Sequence, residues 1–277
     1  MNKRVYSSVV RRSRFRREST GKNLHLGDRD KDILQWLYRY RYLRQDQLTR
    51  LVQPKSEKRF VERLGDLFHE TGFINRPNIM PDGFDARSTP MLYEISNAGV
   101  AYLETLGELP PRAVTFSRRS CRSYNPQFAH TMMIIEALMG VELETMREEG
   151  QRFVPVDEIL ARAPEDVRNA RNPLSVSVIV FPSREHPVIR SRLETHVIPD
   201  ALYGIEYLID GEKRYRFWAL ECEGTSPSSR TTTKASSRAL KLAAYDALIK
   251  SKVFKQRWGI PNLKLQFYSK TKGLETI

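Results

Sequence analysis

A chain of 277 residues with 40% hydrophobic composition is long enough to bury two cores. Its 46 Lys and Arg against 33 Asp and Glu leave a formal charge of +13. That excess supplies phosphate neutralisation and makes nucleic acid the leading partner class, with the ribosome and a membrane surface as the other partners such a balance serves. The only cysteines, Cys121 and Cys222, exclude a disulfide framework and a cysteine zinc site and fit a reducing cytoplasm, while the absence of an apolar run of ~18 residues and of a signal-peptide core speaks against membrane insertion and secretion.

At the start, Lys3, Arg4, Arg11, Arg12, Arg14, Arg16 and Arg17 stand against one acid, Glu18, with little apolar periodicity. Residues 1–27 read as a mobile basic arm. Either it lies along phosphates or in a minor groove, with Arg12 and Arg14 in contact, or it is a solvated tail.

Asp28 reads as a helix cap, and Ile33, Trp36, Leu37 and Tyr40 follow at helical spacing. A second, short helix starts near Gln45 and stops at Gln53-Pro54. Ser56 caps a third, whose inner face is Phe60, Leu64, Leu67 and Phe68, whose outer face carries Lys55, Lys58, Arg59 and Arg63, and which closes at Gly72. Phe73-Ile74, a loop at Pro81-Asp82-Gly83 and the run Met91 to Ile95 predict a β-hairpin. Three short helices and a hairpin make the winged helix-turn-helix pattern over residues 28–107, with the third helix reading double-stranded DNA. Winged domains also mediate protein contacts, but the basic outer face favours DNA. Ser96 caps a further helix that ends at Gly107. Residues 108–127, with Pro110-Pro111, Arg112, Arg118, Arg119 and Arg122, read as a basic linker able to touch phosphate.

From Phe128 the chain turns apolar in a long buried helix that contains His130 and Glu136. Strands are predicted at Leu174 to Phe181, Val197 to Ile209, Tyr215 to Glu223 and Leu263 to Tyr268, with a hairpin turn at Asp210-Gly211 and a helix from about Ser236 to Lys250 before the last strand. Helix, three strands, helix, strand indicates a mixed β-sheet flanked by helices over residues 128–277. Alternation puts Glu221 and Glu223 on one face of their strand and Cys222, a small core residue, on the other. With Asp200 at the start of the preceding strand, three carboxylates would converge. A hard cation such as Mg²⁺ or Mn²⁺ suits them, because clustered carboxylates without a cation or proton oppose one another's ionisation. Lys234, Arg238 and Lys241 bring positive charge to the same end for a scissile phosphate or for DNA in general. Lys234 reads equally as an ordinary exposed lysine; against reading Glu221 and Glu223 as solvated acids of an edge strand stands Phe217-Trp218-Ala219-Leu220, which marks that strand as buried and favours the site.

This order of elements, with Pro199-Asp200 and then Glu221-Cys222-Glu223, resembles the PD-(D/E)xK restriction-endonuclease-like fold. The third motif position holds Glu223 in place of the usual lysine, as in some restriction endonucleases of that superfamily. A first-helix acid sometimes joins the metal site there, which makes Glu136 a candidate. Taken whole, residues 28 to 268 resemble the replication-relaxation family of bacterial mobile elements and the related MobC-type conjugative relaxases. The resemblance rests on Asp30-Lys31-Asp32-Ile33-Leu34 with Asp46-Gln47-Leu48, Ser96-Asn97-Ala98-Gly99, His130, Pro199-Asp200-Ala201, Glu221-Cys222-Glu223-Gly224-Thr225, and Lys241 followed by Tyr245. It implies a metal-dependent enzyme that nicks one strand at a plasmid transfer or replication origin, with Asp200, Glu221 and Glu223 as the acidic cluster and other conjugation or replication proteins as partners. A non-catalytic regulator that binds an operator or origin through its winged domain is the alternative. A tyrosine-linked nickase, using Tyr124 or Tyr245, is a third reading, and the histidine triad of such enzymes is absent.

Overall fold

The computed structural model describes residues 12–79, 90–115, 126–187, 189–223 and 238–277. They fall in two compact units, the described residues up to 110 and those from 111 on. The loop at Pro81-Asp82-Gly83, Arg118, Arg119, Tyr124 and Lys234 lie outside the described residues.

In the first unit, α1 (Asp28–Tyr40) buries Ile33, Leu34, Leu37 and Tyr40. Its cap is Gly27, one residue earlier than Asp28. The acid that closes the first turn is Asp30, whose Oδ2 accepts the Gly27 N–H at 2.9 Å, a backbone donor that the helix leaves without a partner of its own. A short strand absent from the expected pattern, β1 (Tyr42–Arg44), precedes α2 (Gln45–Val52). Ser56 Oγ accepts the Arg59 N–H to cap α3 (Glu57–Asp66), which continues as a π turn over Leu67–Thr71 and stops at Gly72, φ 70°. Strands β2 (Ile74–Asn75) and β3 (Leu92–Ile95) pair antiparallel, as the hairpin pattern requires, and β1 adds to β3 in the order β1-β3-β2. Ser96 Oγ accepts the Gly99 N–H at 3.1 Å at the start of α4 (Asn97–Leu106).

Residues 12 to 22 depart from the expected mobile arm, because acids on the α3 ridge hold them. Arg12 donates to Glu70 Oε1 at 2.6 Å and to Asp66 Oδ1 at 3.0 Å, and Lys22 meets Asp66 at 2.6 Å. Arg17 donates to the carbonyls of Phe68 and Ile74 and to Asn75 Oδ1. Hydrogen bonds from Ser19 and Thr20, with Arg12 close by, hold Glu70 down at about 2. Arg12 is thereby committed to partners inside the unit, and Arg14 is half-buried beside Phe15. Arg63 is likewise turned inward, to Asp30 at 2.6 Å and the His25 carbonyl at 2.7 Å. Lys55, Lys58 and Arg59 remain exposed at the start of α3.

The second unit opens with α5 (Pro126–Thr145). Then come β4 (Gln151–Val154), α6 (Val156–Ala161), α7 (Glu165–Arg168), β5 (Val176–Val180), β6 (Leu193–Val197), β7 (Ala201–Ile209) and β8 (Glu212–Cys222). The helices α8 (Arg238–Ser251) and α9 (Val253–Trp258) and the strands β9 (Lys264–Ser269) and β10 (Gly273–Thr276) complete it. The main sheet has the order β10-β9-β8-β7-β4, antiparallel except for β8 and β9, which run parallel. Parallel neighbours need a crossover, and α8 with α9 lies on that connection. Asn262 locks its end, accepting the Phe217 N–H at 3.0 Å and donating to the Tyr215 carbonyl at 2.9 Å.

Two strands differ from the sequence expectation. The strand at 176–180 does not enter the main sheet but pairs with β6 in a separate two-stranded ribbon, and β4, unexpected from the sequence, takes the place beside β7. The run from Val197 to Ile209 is two elements, because Pro199 has no N–H to give a ladder and breaks it. The β7–β8 hairpin forms as expected, with both turn residues, Asp210 at φ 52° and Gly211 at φ 78°, in the left-handed region that a two-residue turn demands.

One face of the sheet, with Leu202, Phe217, Ala219, Leu265 and Phe267, packs with α8 residues Ala243, Ala244, Tyr245 and Leu248 in a single core. On the opposite face Phe153, Tyr203 and Trp218 stack with ring centroids 5.6 and 5.3 Å apart. The α5 helix contacts β4 and β8, and its own buried side chains lie outside the α8 core.

Candidate functional site

Alternation along β8 turns Phe217, Ala219 and Glu221 toward α8. Glu221 is 2% exposed. Its Oε1 accepts the Tyr245 hydroxyl at 2.5 Å, and its Oε2 accepts the Lys241 ammonium. Tyr245 and Lys241, one turn apart on α8, therefore grip one carboxylate. Burial and the nearby Asp200 charge push the Glu221 carboxyl up, with Lys241 working against them. Burial by itself would lower Lys241, but Glu221 outweighs it, so the ammonium form is held. Burial, then Glu221, pushes the Tyr245 hydroxyl well up, so it stays a phenol that donates to Glu221. A buried, protonated hydroxyl in that bond is a poor nucleophile for a covalent tyrosine link.

Asp200 precedes β7 at the same end of the sheet. Its Oδ2 accepts the Cys222 N–H at 2.8 Å, and its Oδ1 meets His130 Nε2, from α5, at 2.9 Å. The bond to Asp200, against partial burial, raises His130 above its usual value. Below about 6.5 the ion pair contributes its full stability, and the contribution is lost as pH rises through the raised folded-state value. A proton NMR titration of the imidazole is expected to show a midpoint above that of free histidine in the native protein and a fall toward it in Asp200→Asn.

Glu223 leaves the end of β8, its N–H bonded to the Tyr268 carbonyl at 2.8 Å. Its Oε2 accepts Arg238 Nη1 at 2.7 Å, and Arg238 also reaches Glu275 at 3.0 Å. Arg238 and Lys241, expected to hold DNA, are thus occupied by the acids beside them. Cys222 is buried, as alternation predicted. Glu136 is half-buried on α5.

The three acids share one end of the sheet, and each faces its own cation or histidine. No three of Asp200, Glu221, Glu223, His130 and Glu136 bring ligand atoms within 4.8 Å of one another; among the described residues that group is Glu185, His186 and Asp246. Asp200 and Glu221 are hard oxygen donors of the kind Mg²⁺ and Mn²⁺ take. In this arrangement Lys241 and His130 supply their counter-charge. Lys241, a DNA contact by its sequence position, lies instead on a cavity of about 140 Å³ that it lines with Glu221, Tyr245 and, from the β6 end, Thr195, His196 and Ile198, which no local pattern in the sequence marks.

A mixed α+β protein with a basic helical unit and an acid-and-lysine cluster at the end of a mixed sheet is the class so defined. The chain belongs to the replication-relaxation family, which it matches over residues 34–263. Membership suggests a role in DNA replication or mobilisation and, with it, a DNA interaction. No curated protein and no solved structure matches the chain. Among the described residues no helix is long and apolar enough to cross a membrane.

Proposed function

We propose that the protein is a metal-dependent DNA nickase of the relaxase type, acting at a replication or transfer origin of a plasmid or mobile element. The first unit is read as a winged helix that selects the duplex through Lys55, Lys58 and Arg59, and the second as a PD-(D/E)xK-like nuclease domain. The observation that carries the reading is Lys241 on Glu221 beside Asp200. An ammonium from α8 stands at the acids, where the resemblance expects one from position 223.

Asp200 and Glu221 would hold Mg²⁺ or Mn²⁺, which when bound polarises a phosphate and acidifies a water. Lys241, released from Glu221, would hold a non-bridging phosphate oxygen and stabilise its developing charge. Glu223, kept in place by Arg238, would orient or deprotonate the attacking water. His130, bonded to Asp200, would give a proton to the leaving oxygen.

Supercoiled plasmid carrying the protein's own origin is expected to become open-circular with Mg²⁺ or Mn²⁺, with no product in EDTA or from Asp200→Asn. Tight origin binding with no scission in either metal would instead support the regulator, which the one-to-one pairing of each acid with its own positive partner favours.

A further inference from the structure

The ribbon of β5 and β6 carries surface that the nicking chemistry does not use. Its inner residues Val176, Val178 and Val180 are buried in the α8 core. On the outer side Ile179 is 42% exposed, Phe181 61% and Ile198 50%. Ile179 stands across from the exposed Glu194, and Ile198 is at the far end of the ribbon from Phe181, so these are separate points, of which the Phe181 ring alone offers a face that a planar group can stack on.

At the ribbon tip Arg184 and Arg190 are exposed, and their side chains have no hydrogen bond or ion pair among the described residues. The tip itself is held against α8. Lys250 Nζ lies 2.8 Å from both Glu185 Oε2 and Asp246 Oδ2, and His186 Nε2 lies 3.2 Å from Asp246 Oδ2. The Lys250 ammonium supplies the positive charge that the Glu185, His186 and Asp246 group needs, so that group anchors the tip. At the other end the ribbon runs into the cavity wall through Thr195, His196 and Ile198, opposite Glu221 and Lys241. The exposed Phe181 ring and the Arg184 and Arg190 guanidiniums, without partners among the described residues, thus stand toward the tip end of the ribbon, and the cavity wall stands at its other end.

We propose that this ribbon is a platform for single-stranded DNA, with Phe181 stacking on an unpaired base and Arg184 and Arg190 holding the flanking phosphates. The positive tip complements phosphate. An exposed ring face is met by the faces of unstacked bases, which a duplex hides. That the strand runs on to a cutting site rests on the nickase reading, whereas the contact itself does not.

Fluorescence anisotropy of the full chain in EDTA, with a labelled mixed-sequence oligonucleotide and its duplex, tests the contact without cleavage. Phe181→Ala is expected to weaken single-strand binding about ten-fold, the worth of one stacked base, with duplex binding unchanged. Removing both arginines (Arg184→Ala with Arg190→Ala) is expected to flatten the plot of log affinity against log salt by about 1.4, from about 0.7 per phosphate contact. Phe181 is exposed, so its variant is expected to melt with the native protein. Native affinity for single strands in both variants, an equal loss for duplex, or no single-strand binding by the native chain would each overturn the platform. Absence of nicking beside a Phe181→Ala defect would remove the nickase and leave the platform standing.

Discussion

Glu221→Gln is expected to lower origin nicking by about 100-fold or more while leaving duplex binding at the native level. Glutamine keeps the shape and still accepts the Tyr245 hydroxyl, but it removes the charge that balances Lys241 and that a hard cation needs. Duplex binding is expected to survive because the exposed cations assigned to it, Lys55, Lys58 and Arg59, belong to the first unit. Stability should fall by about 1–3 kcal/mol, because an ammonium is left against a buried site without its counter-charge. The triple variant Glu221→Leu, Lys241→Met and Tyr245→Phe separates the two effects, because it also removes the phenol that Glu221 accepts. Replacing every member of a buried polar cluster by apolar groups removes the desolvation cost as well as the attraction, so its stability should return toward native while nicking stays lost. Activity in Glu221→Gln within a few-fold of native would deny Glu221 its role.

Gly99→Ala is expected to unfold the first unit at a markedly lower temperature. A Cβ there would sit 2.4 Å from the Phe73 carbonyl oxygen and 2.9 Å from Ile95 Cγ1, and the nearer atom is backbone that cannot swing away. The start of α4 would have to lift from β3 and weaken the Ser96 cap, at about 3 kcal/mol and roughly 15 °C for a unit of this size. Gly140→Ala is the control of opposite sign. On α5, a Cβ at Gly140 meets nothing within 4 Å, and alanine in a helix is favoured by about 0.5–1 kcal/mol. Differential scanning calorimetry of both variants checks the pair, and a Gly99→Ala midpoint within a degree or two of native would refute the close approach.

Local signals carried much of the chain. Ser56 and Ser96 cap the helices they were expected to cap, Gly72 and Gly107 end theirs with positive φ, and Asp210-Gly211 turns the long hairpin. Each of these features is a property of a few consecutive residues. Features that failed to show are those settled by packing at a distance. Strand β1 has three residues and exists because β3 offers a free edge. The ribbon strand β5 carries the same Val-rich signature as a strand of the main sheet, and only its partner β6, cut from β7 by Pro199, sets it apart. The basic start looked unstructured because its composition is, yet Asp66 and Glu70, more than fifty residues away, hold Arg12. Alternation put Glu221 and Glu223 on one face, but Lys241 reaches Glu221 across twenty residues and from a helix. No spacing rule on either element contains that contact.

For nicking, Asp200 and Glu221 must take a divalent cation and Lys241 must yield its place. A crystal of the protein soaked in Mn²⁺ and measured at the manganese edge tests it directly. An anomalous peak is expected at about 2.2 Å from carboxylate oxygens of both residues, with Lys241 Nζ moved off Glu221. Lys241 still bonded to Glu221, with manganese absent from that end of the sheet, would contradict it.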